Sequence, residues 1–358
     1  MRTILAVILF TAFAGAADWQ IGPFLRPAEG NPVIAPLKQS LFNCPMRGRP
    51  VHWEALHTFN PAAIVRGGRV YVIYRAEDDS GEMRIGLHTS RLGLAESTDG
   101  IHFTRRATPV LYPDTDSQRE REWEGGCEDP RIVESEDGTY VLTYTQWNRK
   151  KTDAAIATSR DLVRWTKHGP ALGSDGKYGA LSYKSAGIVC SLRGGRLKAV
   201  KIRGKYWMYW GEITIRLATS EDLIHWTPVE DSHGDPVIVL AKRPGHFDSS
   251  FPEVGPPPVL TSRGIVVLYN GKNAPSDGDP QLGANAYAAG EALFAADDPA
   301  RLIARTDTPV FRPEMPFEKT GQYAAGTTFT EGLVYFRNRW FLYYGCADSL
   351  VGVAISAR

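Results

Sequence analysis

The hydrophobic and polar positions of the chain repeat one phrase five times: a short apolar strand, a turn rich in Gly or Asn, then an aromatic-rich strand. The second members run from Arg69 to Tyr74, Thr139 to Tyr144, Lys205 to Trp210, Gly264 to Tyr269 and Arg339 to Tyr344. Shorter apolar runs precede them, at Ala62 to Val65, Arg131 to Val133, Ala186 to Val189, Pro258 to Leu260 and Gly332 to Tyr335. Turns such as Arg66-Gly67-Gly68 and Asp137-Gly138 join the two members, so the pattern predicts five β-hairpins.

A third and fourth strand follow in most units, marked by a Ser-x-Asp phrase ending in an aromatic residue. It stands at Ser97 to Phe103, Ser159 to Trp165 and Ser220 to Trp226, roughly 60 residues apart, with a degraded copy at Ala296-Asp297-Asp298-Pro299. Four short strands per repeat is the pattern of a propeller, whereas a sandwich would not repeat a phrase at fixed spacing. The expected fold is therefore all-β, a five-bladed β-propeller with a central active-site cleft. No long amphipathic pattern supports an α/β alternative.

Composition narrows the class. Of 358 residues, 41 are Lys or Arg and 40 Asp or Glu, a formal charge of +1, with 43% hydrophobic and 23% charged residues. That balance excludes disorder and lacks the basic excess of a nucleic-acid binder. Met1-Arg2, the apolar run Ile4 to Phe13 and the small residues Ala14 to Ala17 read as a signal peptide over residues 1–17. Residues 18–358 are then one propeller, exported to a periplasm or secreted, with no membrane partner because no second apolar run approaches about 18 residues. Cys44, Cys127, Cys190 and Cys346 form no C-x-x-C pair, and their pairing is open. No metal and no cofactor is expected, since no Cys/His spacing resembles a ligand set.

In such a fold, polar residues at the head of each first strand converge on the central channel. These are Asn60, Glu128-Asp129-Pro130-Arg131, Lys184-Ser185 and Glu253, and the ends of the second strands add Arg75, Glu212, Asn270 and Asp348. Several carboxylates in one cleft suit glycosidic bond cleavage, in which one carboxyl protonates the leaving oxygen and a second activates water or attacks the anomeric carbon. Trp53, Trp123, Trp147 and Trp210 offer stacking faces for sugar rings, although a single Trp is more often core.

Phe59-Asn60-Pro61-Ala62, Gly126 to Ile132 with its Glu-Asp-Pro-Arg centre, Ser90 to Ala95 followed by Ser97-x-Asp99-Gly100, and Gly255-Pro256-Pro257-Pro258 resemble glycoside hydrolase family 130. The resemblance runs from about Asn60 to Asp348. It implies a five-bladed propeller acting on β-mannosides, as an inverting phosphorylase or a hydrolase, with a mannose-containing oligosaccharide as partner. It also implies that Asp129 is the general acid, and that Asn60, Arg75, Ser90, Arg91 and Asp348 bind hydroxyls of the sugar. Tyr287 occupies a family-like position before Asp297-Asp298-Pro299. Arg131 is either a substrate ligand or a partner that orients Asp129.

A phosphorylase must hold phosphate beneath the anomeric carbon with converging cations, whereas a hydrolase wants a carboxylate there. The three places where family phosphorylases carry Lys, His and Arg read here Pro252-Glu253-Val254, Tyr269-Asn270-Gly271 and Trp210-Gly211-Glu212. Lys184 to Val189 and Tyr206 to Glu212 also look like the β-1,2-mannosidase branch. The expectation is an inverting hydrolase with Asp129 as acid and Glu212 or Glu253 as base. The alternatives are a phosphorylase recruiting Lys242, Arg243, His246 or Lys272, and a sugar-binding propeller without catalysis.

Overall fold

The computed structural model describes residues 17–357, so the leader expected over residues 1–17 lies, apart from Ala17, outside the described residues. The described chain is almost wholly β, with 47% strand against 3% helix, as expected of alternating segments too short and too branched for helices. Among the described residues no helix is long and apolar enough to cross a membrane.

Four of the five predicted hairpins form; in the third unit Ala186–Ile188 and Lys205–Trp210 pair antiparallel as expected, but a further hairpin, Cys190–Arg193 with Arg196–Ala199, lies between them in the chain. The strands gather into five antiparallel arrays. The first array runs His57–Arg66, Arg69–Glu77, Ser90–Ser97 and Thr104–Arg105, and the second Gly126–Glu134, Tyr140–Trp147, Thr152–Ser159 and Thr166–Pro170. The third is built on Ala186–Ile188, Lys205–Trp210, Ile215–Ser220 and Thr227–Pro228, and the fourth on Phe251–Val254, Gly264–Lys272, Tyr287–Ala295 and Asp298–Arg305. Thr328–Phe336, Arg339–Cys346 and Leu350–Ser356 form the fifth, whose outer edge is taken by the N-terminal strand Phe24–Leu25, paired Phe24 to Ser356 and Leu25 to Ile355. In the first hairpin Gly67 and Gly68, at φ 56° and 74°, supply the two left-handed residues a two-residue turn needs.

Neighbouring arrays pack face to face. Ile64, Ile73 and Leu94 of the first meet Ile132, Leu142 and Ala155 of the second, and Tyr209 and Leu217 of the third meet Ile265, Val267 and Phe294 of the fourth. Val334, Phe341 and Val353 of the fifth share a core with Val70, Val72 and Tyr74 of the first, so the last array packs on the first. Trp53 and Trp210 are fully buried in these cores and present no face to a ligand. The four cysteines are buried and unpaired.

One polar tie recurs in four arrays. A tyrosine within the second strand donates to a buried carboxylate ahead of the first strand: Tyr74 to Glu54 at 2.7 Å, Tyr144 to Glu122 at 2.9 Å, Tyr269 to Asp248 at 2.8 Å and Tyr344 to Glu318 at 2.7 Å. A cation from the fourth strand, or beside it, meets the same carboxylate: Arg105 at 3.1 Å, Lys167 at 2.5 Å, Arg305 at 2.7 Å and Arg26 at 2.6 Å. Thus the start, middle and edge of an array are locked by one compensated charge. In the third array Trp210 replaces the tyrosine and Arg216 lies 5.4 Å from its ring.

The Ser-x-Asp phrase proves to be a turn staple. Ser97, Ser159 and Ser220 each accept the amide three residues on, and Asp99, Asp161 and Asp222 each accept two successive amides at 2.8–2.9 Å. It repeats because the crossings from third to fourth strand in the first three arrays use the same turn.

The N-terminal strand is also held by Glu291, whose carboxyl accepts the Ile21 amide at 3.1 Å while its other oxygen has no partner. Burial pushes this carboxyl up from 4.5 to about 7. The folded state therefore binds the proton more tightly, and the stability this contributes is full below 4.5 and lost as pH rises through about 7. Because other buried carboxyls titrate in the same window, the share of Glu291 is read by difference: in urea unfolding between pH 4.5 and 7, Glu291→Gln is expected to lose about 3 kcal/mol less stability than the native chain. Identical pH dependence in both proteins would refute the assignment.

Candidate active site

Three of the first strands carry a residue in left-handed conformation at their head: Asn60 at φ 45°, Asp129 at 47° and Ser185 at 58°. The ladders of the first two arrays slip there, between Phe59 and Pro61 and between Glu128 and Arg131. Bulges of this kind re-aim side chains, and here they turn polar groups toward each other across arrays. Backbone held in this region costs of order 1 kcal/mol or more per residue, which the surrounding strands sustain.

The result is a cluster around Arg75. Its guanidinium lies 2.7 Å from Glu77, 2.9 Å from Glu128 and 3.1 Å from Asp129, and Nε donates to Ser90 Oγ at 3.0 Å. Ser90 in turn donates to Glu128 at 3.0 Å, and Asn60 donates to Asp129 at 2.8 Å. Burial alone would raise Asp129, but Arg75, Lys184 and the Asn60 amide hold it down at about 2. Glu128, buried beside the charge of Asp129, is pushed up to about 7 despite Arg75. Burial likewise carries Asp348, at φ 51°, to about 7 against Arg75, with Asp129 and Glu77 adding to the rise.

Opposite stands a second group. Lys184 Nζ sits between Glu212 at 3.3 Å and Glu253 at 3.5 Å, and Ser185 donates to Glu253 at 2.5 Å. Glu253 is buried rather than a solvated loop carboxylate, and burial raises it against Lys184. Glu212 remains partly open, with 36% of its side chain exposed. The electrostatic coupling of Lys184 to Asp129 and of Tyr287 to both Lys184 and Glu253 joins the groups into one site. Tyr287 belongs to an aromatic wall with Phe251, Tyr323 and Phe329, at ring separations of 5.5–6.1 Å.

Three expected sugar ligands are otherwise engaged. Arg91 is buried and binds Asp78 at 2.5 Å and Cys44 Sγ at 3.2 Å, so its donors face the core. Asn270 spends its amide on Thr330, donating to its carbonyl at 3.1 Å and accepting its N–H at 2.8 Å, and thereby staples the fourth array to the fifth. Arg131 binds the carbonyls of Asp129, Val254 and Gly255 and lies 3.0 Å from Glu331, so its donors are engaged within the protein. Two further residues belong to the site without standing out in the sequence. Glu77 links Arg75 to His88 at 2.8 Å and accepts Gln322 at 3.1 Å. Glu331, wholly buried, stands in the fifth repeat where Asn60, Asp129 and Ser185 stand in theirs, so alignment of the repeats would have found it.

Comparison with known proteins bears on this constellation. Residues 28–357 match the sequence profile of glycoside hydrolase family 130, described as β-1,4-mannooligosaccharide phosphorylase. The chain belongs to glycoside hydrolase family 130. It is 33% identical, over 92% of its length and 96% of the relative's, to the 1,2-β-oligomannan phosphorylase of Thermoanaerobacter sp. (strain X514). A solved structure 54% identical (TM-score 0.93, 95% of both chains) was reported as showing that the family 130 mannoside phosphorylases contain glycoside hydrolases that target β-1,2 mannosidic linkages in Candida mannan. A glycosyl hydrolase structure from Bacteroides ovatus is equally similar, at 54% identity, TM-score 0.93 and 95% of both chains. The chain is thus an enzyme of a glycoside-active, mannoside-processing family. The names of the family profile and of the curated relatives favour phosphorolysis, the alternative of the sequence reading, over hydrolysis.

Because Arg75 compensates three carboxylates, Arg75→Gln is expected to destabilise the protein by about 3–5 kcal/mol at pH 7. The deficit should shrink at pH 5, where Glu128 and Asp348 take up protons, and urea unfolding at both pH values checks it. A deficit independent of pH would contradict the charge argument.

Proposed function

We propose that this family 130 enzyme cleaves β-1,2-mannosidic bonds of manno-oligosaccharides by inverting single displacement with water, on a five-bladed propeller whose blades are the five arrays. Asp129 protonates the glycosidic oxygen, and Glu253, aided by Glu212, positions and deprotonates the water. The observation that carries this reading is the Lys184 group: two carboxylates flank one ammonium at 3.3 and 3.5 Å. A phosphate dianion there would meet two negative charges and a single cation, the opposite of a phosphate site. A buried carboxylate raised above its usual range is, by contrast, a better base at neutral pH. The 54% identical structure associated with hydrolases supports the same choice. Asn60 and Asp348 face the sugar beside Asp129, and Tyr287 walls the adjoining position. If residues 1–17 direct export, the enzyme meets its oligosaccharide outside the cytoplasm.

Acid catalysis needs a proton on Asp129, which Arg75 opposes. Glu128 and Asp129 titrate as a pair that retains one proton up to about pH 7, so Glu128 acts as the store from which Asp129 is charged when substrate displaces solvent.

Phosphorolysis is the second reading, favoured by the printed names of the family profile and curated relatives. Incubation with β-1,2-mannobiose, followed by NMR with and without inorganic phosphate, separates the two. Hydrolysis gives α-mannose first, at the same rate in both; mannose 1-phosphate formed only with phosphate would establish phosphorolysis. Asp129→Asn and Glu253→Gln are each expected to lower kcat by about 10²–10⁴-fold. Glu128→Gln should move the alkaline limb of the kcat/KM profile down by about one unit or more, since Asp129 then loses the shared proton; an unmoved limb would exclude the proton store.

A further inference from the structure

Arg131 touches both sides of the reaction centre through the backbone. Its Nη1 donates to the Asp129 carbonyl at 3.0 Å, Nη2 to that of Val254 at 2.7 Å and Nε to that of Gly255 at 2.9 Å. Val254 and Gly255 directly follow Glu253. One planar, rigid guanidinium therefore binds the residue bearing the acid to the segment bearing the base, and both lie on different arrays.

The acidic group that faces Arg131 is Glu331, whose carboxyl is raised by burial well above its usual range against Arg131, with Asp129 and Glu253 adding to the rise. Its Oε1 lies 3.0 Å from Arg131 Nη2, it is Arg131's only ion-pair partner among the described residues, and neither of its oxygens has a hydrogen-bond partner. The ladder of the fifth array slips between Thr330 and Gly332, which places Glu331 out of register. A fully buried carboxyl without hydrogen bonds costs several kcal/mol, and no role in the outer ties accounts for it.

We propose that Arg131 and Glu331 form a positioning pair that sets the separation between Asp129 and Glu253. The inference rests on the acid and base assignment made above. Inversion requires the two carboxyl groups to stand roughly 6.5–9.5 Å apart so that water fits between them. A fork fixed to both segments, and itself faced by a carboxyl from a third array, keeps that gap constant. Neither residue touches sugar.

Glu331→Gln and Arg131→Lys are the test, each characterised on β-1,2-mannobiose after thermal unfolding has shown the protein folded at the assay temperature. Expected is a kcat about 10–100-fold lower, the cost of a misplacement near 1 Å, with KM changed less than about threefold. Glu331→Asp, which keeps a carboxyl, should recover part of the loss. In an Asp129→Asn background Glu331→Gln should cost little more, because the positioned group is already gone. If Glu331→Gln does not fold, Arg131→Lys and Glu331→Asp decide by the same criteria. An unchanged kcat in Glu331→Gln, or a full multiplicative loss in the Asp129→Asn background, would overturn the pair. Full activity in Asp129→Asn alone would instead overturn the parent assignment, so the two failures are told apart.

Discussion

A carboxylate buried in protein must be met by a cation or by hydrogen bonds, and this constraint organises both the frame and the centre of the molecule. In the frame, Glu54, Glu122, Asp248 and Glu318 are each met by a tyrosine and a cation of their own array. Such a tie contributes less by its net energy than by excluding other registers, since a slipped strand would strand a charge in the core. At the centre the same rule is applied with too few cations. Arg75 serves three carboxylates and Lys184 two, and burial, reinforced by the neighbouring carboxylates, moves Glu128 and Asp348 toward neutrality.

That division follows from position in the repeat. The head of the first strand is where the backbone re-aims side chains, and the slot is filled differently in four of the five arrays: Asn60, Asp129, Ser185 and Glu331. A repeated scaffold thus delivers non-repeated chemistry to one place. The strain of three left-handed residues is small against the cooperative pairing of the strands that carry them. Arg131 then converts proximity into fixed geometry by holding the backbone of Asp129 and of the residues after Glu253 at once.

Family membership alone does not decide between water and phosphate, since the names found among its members include both phosphorylases and glycoside hydrolases. Glu212, Glu253 and Lys184 set two acidic groups against one cation, where a phosphate dianion would call for an excess of cations. The 33% identical relative carries a phosphorylase name and the 54% identical structure an association with hydrolases, which is consistent with few side chains separating the two activities.

The hairpins, the turns and the polar heads of the strands are legible in the sequence, because period-two alternation, Gly-containing turns and a phrase repeated every sixty or so residues are local or near-local signals. Asp129, Arg75, Glu253 and Glu212 stand out as chemistry-bearing residues from their places in that repeat. Which way a side chain points at a bulge, and what already occupies its donors, depends on strands far away in the chain. Arg91 and Asn270 look identical to ligands in sequence, yet Asp78 and Thr330 hold them. Trp53 and Trp210 look like sugar platforms and are core. Glu331 is inconspicuous in the linear order although it fills the slot of Asp129 in another repeat. Sequence by itself determined the repeat and the inventory of charges; only the packing of five arrays decided which charges are spent on each other and which are left for the substrate, since burial and pairing are properties of neighbours that the linear order does not contain.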